Sequence, residues 1–166
     1  MYFIIFISSF ILQRLSELFI AKRNEKWLLG QGAIEYGQSH YPFIVAMHTA
    51  FIFSLAAEFI LSGQPFISWI FLIMYLVVLS FKFWALSSLG KYWNTKIYRV
   101  PGTSPVKKGP YRFLKHPNYI EVICEIAIIP LVFHLYYTAV IFSMLNAAVL
   151  FVRVKEENKI WSDVRS

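Results

Sequence analysis

Cysteine is almost missing from this chain of 166 residues, where Cys124 stands alone. A single thiol excludes an intrachain disulfide framework and any zinc site built on cysteines. Charge is scarce as well, at 15% of residues, whereas a soluble domain carries about a quarter. The four histidines, His40, His48, His116 and His134, lack the close grouping that a metal site needs. No Walker A sequence, nucleophile elbow or HExxH helix occurs, and no GxGxxG follows a strand, since no strand is expected. The soluble nucleotide-binding and hydrolase architectures are thereby excluded.

What the chain does contain is apolar surface. Hydrophobic residues make up 58%, aromatic residues 19%, and mean hydropathy is +0.56. A membrane span needs about 20 mostly apolar residues. Five runs qualify: Tyr2 to Ile20, Phe43 to Leu61, Pro65 to Leu86, Tyr119 to Leu135, and Tyr137 to Val154. The expected architecture is therefore an all-α integral membrane bundle of about five transmembrane helices, forming one membrane domain over 1–166. Residues 1–86 supply three spans, and residues 87–166 a long polar loop and a helical hairpin. Tight turns are expected at Gly63 to Pro65 and at His134 to Tyr137. The longer polar connections are Ala21 to Pro42 and Ser87 to Asn118.

The net charge of +7 would suggest nucleic acid in a soluble protein, but its placement argues otherwise. Lys22, Arg23 and Lys26 follow the first span. Lys82, Lys91, Lys96, Arg99, Lys107, Lys108, Arg112 and Lys115 lie at the end of the third span and in the long loop. Arg153, Lys155, Lys159 and Arg165 close the chain. With five spans, every basic residue except Arg14 falls on one side. The positive-inside rule then places the N-terminus outside and the C-terminus in the cytoplasm. The basic surplus is a topology signal and an attraction for membrane lipid headgroups; nucleic acid is not an expected partner.

Ionisable groups inside spans are costly, and each is a candidate site. Arg14 and Glu17 share a helix face and are expected to pair, locking the first helix to its neighbours. Glu58, near the outer end of the second span, is expected to be solvated at the interface. Glu121 and Glu125, four residues apart, either line a polar pocket or receive cations from the long loop.

The densest polar and aromatic stretch runs from Val100 to Tyr119, VPGTSPVKKGPYRFLKHPNY. Its four prolines and two glycines make it irregular, and it feeds directly into a helix at Pro117. A helix N-terminus offers free N–H groups, Lys107, Lys108, Arg112 and Lys115 add positive charge, and Tyr111, Phe113 and Tyr119 add aromatic faces. The alternative is a basic loop that merely hugs headgroups. At the end of the last span, Arg153 and Glu157 are four apart and able to pair across one turn, unless they are ordinary stop-transfer charges. The layout brings both segments to the same membrane face.

Together these segments resemble the isoprenylcysteine carboxyl methyltransferase family, in the compact form found in prokaryotes. The family pattern G-P-Y-x-x-x-(R/K)-H-P-x-Y is matched by Gly109, Pro110, Tyr111, Lys115, His116, Pro117 and Tyr119. A short hairpin follows, and then Arg153, Glu156 and Glu157. Ile120 and Glu121 stand where many relatives have a small residue. The resemblance implies S-adenosylmethionine as cofactor, held by Tyr111, Arg112, His116, Pro117, Asn118, Tyr119 and Glu156, and no metal. It implies that Arg153 orients the oxygen of the substrate, with Glu157 fixing its geometry. It implies O-methylation of a lipophilic acceptor entering from the bilayer, at a carboxylate or acidic hydroxyl of a prenyl- or polyketide-like lipid. A membrane reductase of the sterol-reductase type using NADPH and a non-catalytic scaffold are the alternatives.

Overall fold

The computed structural model describes residues 1–63 and 66–162. Its described residues form five α-helices: α1 Tyr2–Gly30, α2 Tyr41–Leu61, α3 Trp69–Leu89, α4 Pro117–Leu131 and α5 Tyr136–Ser162. Four helical stretches, Tyr2–Gly30, Tyr41–Leu61, Trp69–Tyr92 and Tyr136–Glu157, are long and apolar enough to cross a membrane. Their outer faces stay uncovered: Phe43, Phe53, Trp69 and Ile70 are each about two-thirds exposed or more. Aromatic and aliphatic side chains at that exposure belong in lipid rather than water. The protein is a multi-pass integral membrane protein.

α4 is the short member, with 15 residues, or about 22 Å of helix against a hydrocarbon core of about 30 Å. It packs between α3 and α5 and buries Ile126 and Ile129 completely. The chain then turns back sharply, with His134 in a left-handed conformation at φ 56° and α5 starting two residues later. The two free amides at the start of α5 are capped from α2. Glu58 accepts hydrogen bonds from the backbone N–H groups of Tyr137 (3.0 Å) and Thr138 (2.7 Å). The sequence predicts interfacial solvation for Glu58; the unpaired N–H groups of a helix start attract the carboxylate instead. Of the expected turn at Gly63 to Pro65, Gly63 has φ 69°, while Gln64 and Pro65 lie outside the described residues, as does Arg165.

Two further expectations are corrected. The polar connection after the first span is helical for its first ten residues, because α1 runs on to Gly30. Ala, Lys, Arg, Glu and Leu in that stretch favour helix, and buried polar contacts hold it. Asn24 Nδ2 donates to the carbonyls of Trp93 (2.7 Å) and Gly90 (3.2 Å), and Asn94 Nδ2 donates to the carbonyl of Ala21 (2.8 Å). The second correction is a small antiparallel ladder, β1 Ile34–Tyr36 with β2 Ile97–Arg99, pairing Ile34 with Arg99 and Tyr36 with Ile97. Three residues per strand are too few for alternation to show in a sequence. The ladder ties the two polar connections to each other on one end of the bundle.

The apolar core gathers Phe3, Phe10, Phe51, Leu55, Phe133 and Phe142 around α4, with Phe3 stacked on Phe59 at 3.8 Å between ring centroids. Beside it lies a cluster of charges. Arg14 Nη1 meets Glu17 at 2.9 Å, and its Nη2 meets Glu125. Lys82, from α3, reaches Glu17 (2.8 Å), Glu121 (3.1 Å) and Glu125 (2.8 Å). Lys82 is therefore a buried partner and not a headgroup-facing charge. The cations on Glu121 and Glu125 come from α1 and α3 rather than from the long loop. A lysine about two helical turns from the end of α3 is satisfied by these carboxylates, so the three helices α1, α3 and α4 pack around that demand.

Candidate functional site

The loop from Val100 to His116 is held against α3 by a close backbone approach. Gly109 has φ 52°, and a Cβ on it would lie 1.9 Å from Ser88 Oγ and 2.8 Å from Ser88 Cβ. Only glycine meets both demands, a left-handed backbone and no side chain. Gly109–Arg112 then forms one 3-10 turn with Pro110 buried. Pro117 takes the first helical position of α4, where its missing N–H costs nothing. This punctuation sets Tyr111, His116, Asn118 and Tyr119 side by side.

α5 supplies the opposite wall. The Tyr119 hydroxyl donates to Glu157 Oε2 and accepts from Arg153 Nε at 3.1 Å. Arg153 also lies over the Tyr119 ring, 5.4 Å from its centroid. Its Nη2 donates to the carbonyl of Thr95 at 2.7 Å. Among the described residues Arg153 and Glu157 form no direct ion pair; the hydroxyl of Tyr119 stands between them. His116 stacks on Tyr119 at 5.0 Å and 15°, with Nδ1 3.5 Å from Glu157 Oε2. Tyr111 donates to Asn118 Oδ1 at 2.8 Å.

Protonation follows from this packing. Burial lowers the His116 pKa below the usual imidazole range, against the opposing pull of Glu157. Burial likewise raises the Tyr111 phenol well above its ordinary value. At neutral pH both groups are uncharged, and His116 Nε2 is buried without a hydrogen-bond partner.

A cavity of about 1200 Å³ opens from this corner into the helix bundle. Tyr111, His116, Asn118, Tyr119, Arg153 and Glu157 all line it. The other expected site residues sit elsewhere. Pro117 is buried and shapes the helix start, Arg112 is exposed beside the Phe113 ring, and Glu156 is half-buried; none of these three is on the cavity wall. Two residues that sequence reasoning did not single out complete the corner. Thr95 holds Arg153 through its backbone carbonyl and Tyr41 through a side-chain contact of 3.1 Å. A carbonyl carries no side-chain signature, so no signal in the sequence pointed to Thr95.

With this geometry in place, the comparison with known families is decisive. The sequence model of the isoprenylcysteine carboxyl methyltransferase family matches residues 69–162, more than half of the chain. The chain belongs to the isoprenylcysteine carboxyl methyltransferase family. Members of that family are membrane methyltransferases, and they use S-adenosylmethionine as methyl donor. The chain is 49% identical over 160 residues to the uncharacterized protein YpbQ of Bacillus subtilis, covering 95% of each chain. It is 30% identical over 152 residues to an uncharacterized protein of Haemophilus influenzae, covering 90% of this chain and 88% of the relative. No solved structure matches the chain. The family match begins at α3, so α1 and α2, which supply Arg14, Asn24 and Tyr41, lie outside it.

Proposed function

We propose that the protein transfers a methyl group from S-adenosylmethionine to an oxygen of a lipophilic acceptor, a carboxylate or acidic hydroxyl of a prenyl- or polyketide-like lipid. The observation that carries this reading is the Arg153–Tyr119–Glu157 link at the mouth of a large cavity. A cavity for one small ligand spans about 300–1,000 Å³, so about 1200 Å³ accommodates a methyl donor together with part of an acceptor.

The residues present fit the donor. When bound, S-adenosylmethionine supplies an electrophilic methyl on a positively charged sulfur. The aromatic faces of His116 and Tyr119 and the carboxylate of Glu157 suit a cation. The orphaned Nε2 of His116 suits a polar group of the same ligand, and Tyr111 and Asn118 complete the proposed pocket. Arg153, fixed by Thr95 and Tyr119, is a guanidinium on the cavity wall able to hold an anionic acceptor oxygen. A carboxylate or ionised hydroxyl attacks without a general base, so the chain's task is alignment and exclusion of water. The exposed apolar faces of the helices fit an acceptor that arrives from the bilayer, with the loop on the cytoplasmic side.

The test is transfer of a radiolabelled methyl group from S-adenosylmethionine to lipid extracts by purified protein. Label in an organic-soluble product that is absent with Arg153→Ala supports the reading. No label from any extract, with the donor bound, would contradict it.

A further inference from the structure

The cavity has a second polar wall, deeper in the bundle than the Arg153 corner. Arg14 on α1, His48 on α2 and Glu121 on α4 line it, and Arg14 and His48 each present a polar atom that the protein leaves unused. The terminal nitrogens of Arg14 are taken by Glu17 and Glu125, but its Nε is buried without a partner. His48 Nδ1 lies 2.9 Å from the carbonyl of Ile44. A carbonyl only accepts, so Nδ1 carries the hydrogen, and the neutral ring leaves Nε2 as an acceptor. Glu121 is 4% exposed, and its Oε1 is paired with Lys82 Nζ at 3.1 Å. All three residues line the same cavity.

The depth follows from α2. The Tyr41 hydroxyl and the Arg153 guanidinium both reach Thr95. His48 is seven residues beyond Tyr41, about 10 Å along the helix axis. A cluster that served only to lock helices together would close on itself, because a buried unsatisfied polar atom costs about 1–3 kcal/mol. This one leaves a donor on Arg14 and an acceptor on His48 at the same cavity. Three carboxylates against two cations disfavour an added anion, and the guanidinium of Arg14 disfavours an added cation. A neutral hydroxyl, which both donates and accepts, satisfies the patch.

We propose that Arg14, His48 and Glu121 form an inner subsite for a second, neutral hydroxyl of the acceptor, about 10 Å from the oxygen that is methylated. The inference rests on the methyltransferase reading for where that oxygen sits. It describes an acceptor with two oxygen functions some eight to ten carbons apart.

The probes are octadecanoic acid and 10-hydroxyoctadecanoic acid, titrated separately into detergent-purified protein by calorimetry. Wild type is expected to bind the hydroxy acid about fivefold more tightly, the scale of one added hydrogen bond. The ratio should fall to about one in His48→Phe, which keeps its unfolding midpoint because His48 bonds only its own helix. Arg14→Gln should lower the ratio as well. Equal affinities in wild type, or a preference that survives both substitutions, would overturn the subsite. So would failure of both acids to bind while S-adenosylmethionine still binds. A preference that depends on His48 in a protein that does not bind S-adenosylmethionine would support the subsite and overturn the methyltransferase reading instead.

Discussion

The hydroxyl of Tyr119 donates to the Glu157 carboxylate and accepts from the Arg153 guanidinium, so one phenol joins α4 to two residues one turn apart on α5. Removing that oxygen frees Arg153 to swing while its Thr95 contact and the Tyr119 ring packing remain. Tyr119→Phe is therefore expected to lower methyl transfer by about 10- to 100-fold, since a hydrogen bond to a charged group contributes about 1.5–3 kcal/mol. The unfolding midpoint should move little. Steady-state rates alongside thermal unfolding separate the two effects.

Gly109→Ala places a Cβ against Ser88 in a backbone conformation that disfavours side chains. The loop must lift from α3, and a loss of about 1–3 kcal/mol is expected from the overlap. Ser88→Gly in the same chain removes both close atoms and should restore part of the stability. A double-mutant cycle on unfolding free energies reads this directly, and no coupling between the two positions would refute the close approach.

The depressed pKa of His116 has a defined sign. The folded protein keeps the ring neutral at pH values where the unfolded chain, with a pKa near 6.5, already binds a proton. Stability from this site is thus full above about pH 6.5 and is lost as pH falls toward the folded-state value. His116→Gln should flatten that decline. Unfolding midpoints between about pH 7.5 and 5 provide the comparison.

Lys82 carries the charge balance of three carboxylates, and it is 2% exposed. Lys82→Met leaves Glu121 without its cation and Glu17 and Glu125 sharing Arg14, at a cost of about 3–5 kcal/mol. The expected result is a sharp fall in folded, detergent-soluble protein rather than a purely catalytic defect. Normal yield with normal unfolding would show that the cluster is not structural.

Much of this was legible in the sequence because helices and their breaks are written locally. The apolar runs located α2 and α3 to within a few residues and the start of α5 to within one, while α5 runs on past the expected Val154 to Ser162. The GPY and HP motifs marked the turn and helix start that shape the loop. Arg14 and Glu17, three apart, announced their pairing. What stayed hidden depends on distant partners. Asn24 holds Gly90 and Trp93 across the fold, and nothing near Asn24 hints at it. Thr95 acts through a carbonyl, which every residue has. The ladder of three residues per strand lies below the length at which alternation is visible. Arg153 and Glu157 looked like a direct pair on one helix face, but a hydroxyl from α4 intervenes, and only the folded chain brings that hydroxyl there.

The most direct test of the methyltransferase account is calorimetric binding of S-adenosylmethionine to wild type and to Tyr119→Ala, in parallel with NADPH. Binding of S-adenosylmethionine that is lost in Tyr119→Ala, with no binding of NADPH, is the predicted result. Binding of NADPH alone, or S-adenosylmethionine binding untouched by the loss of Tyr119, would contradict the account.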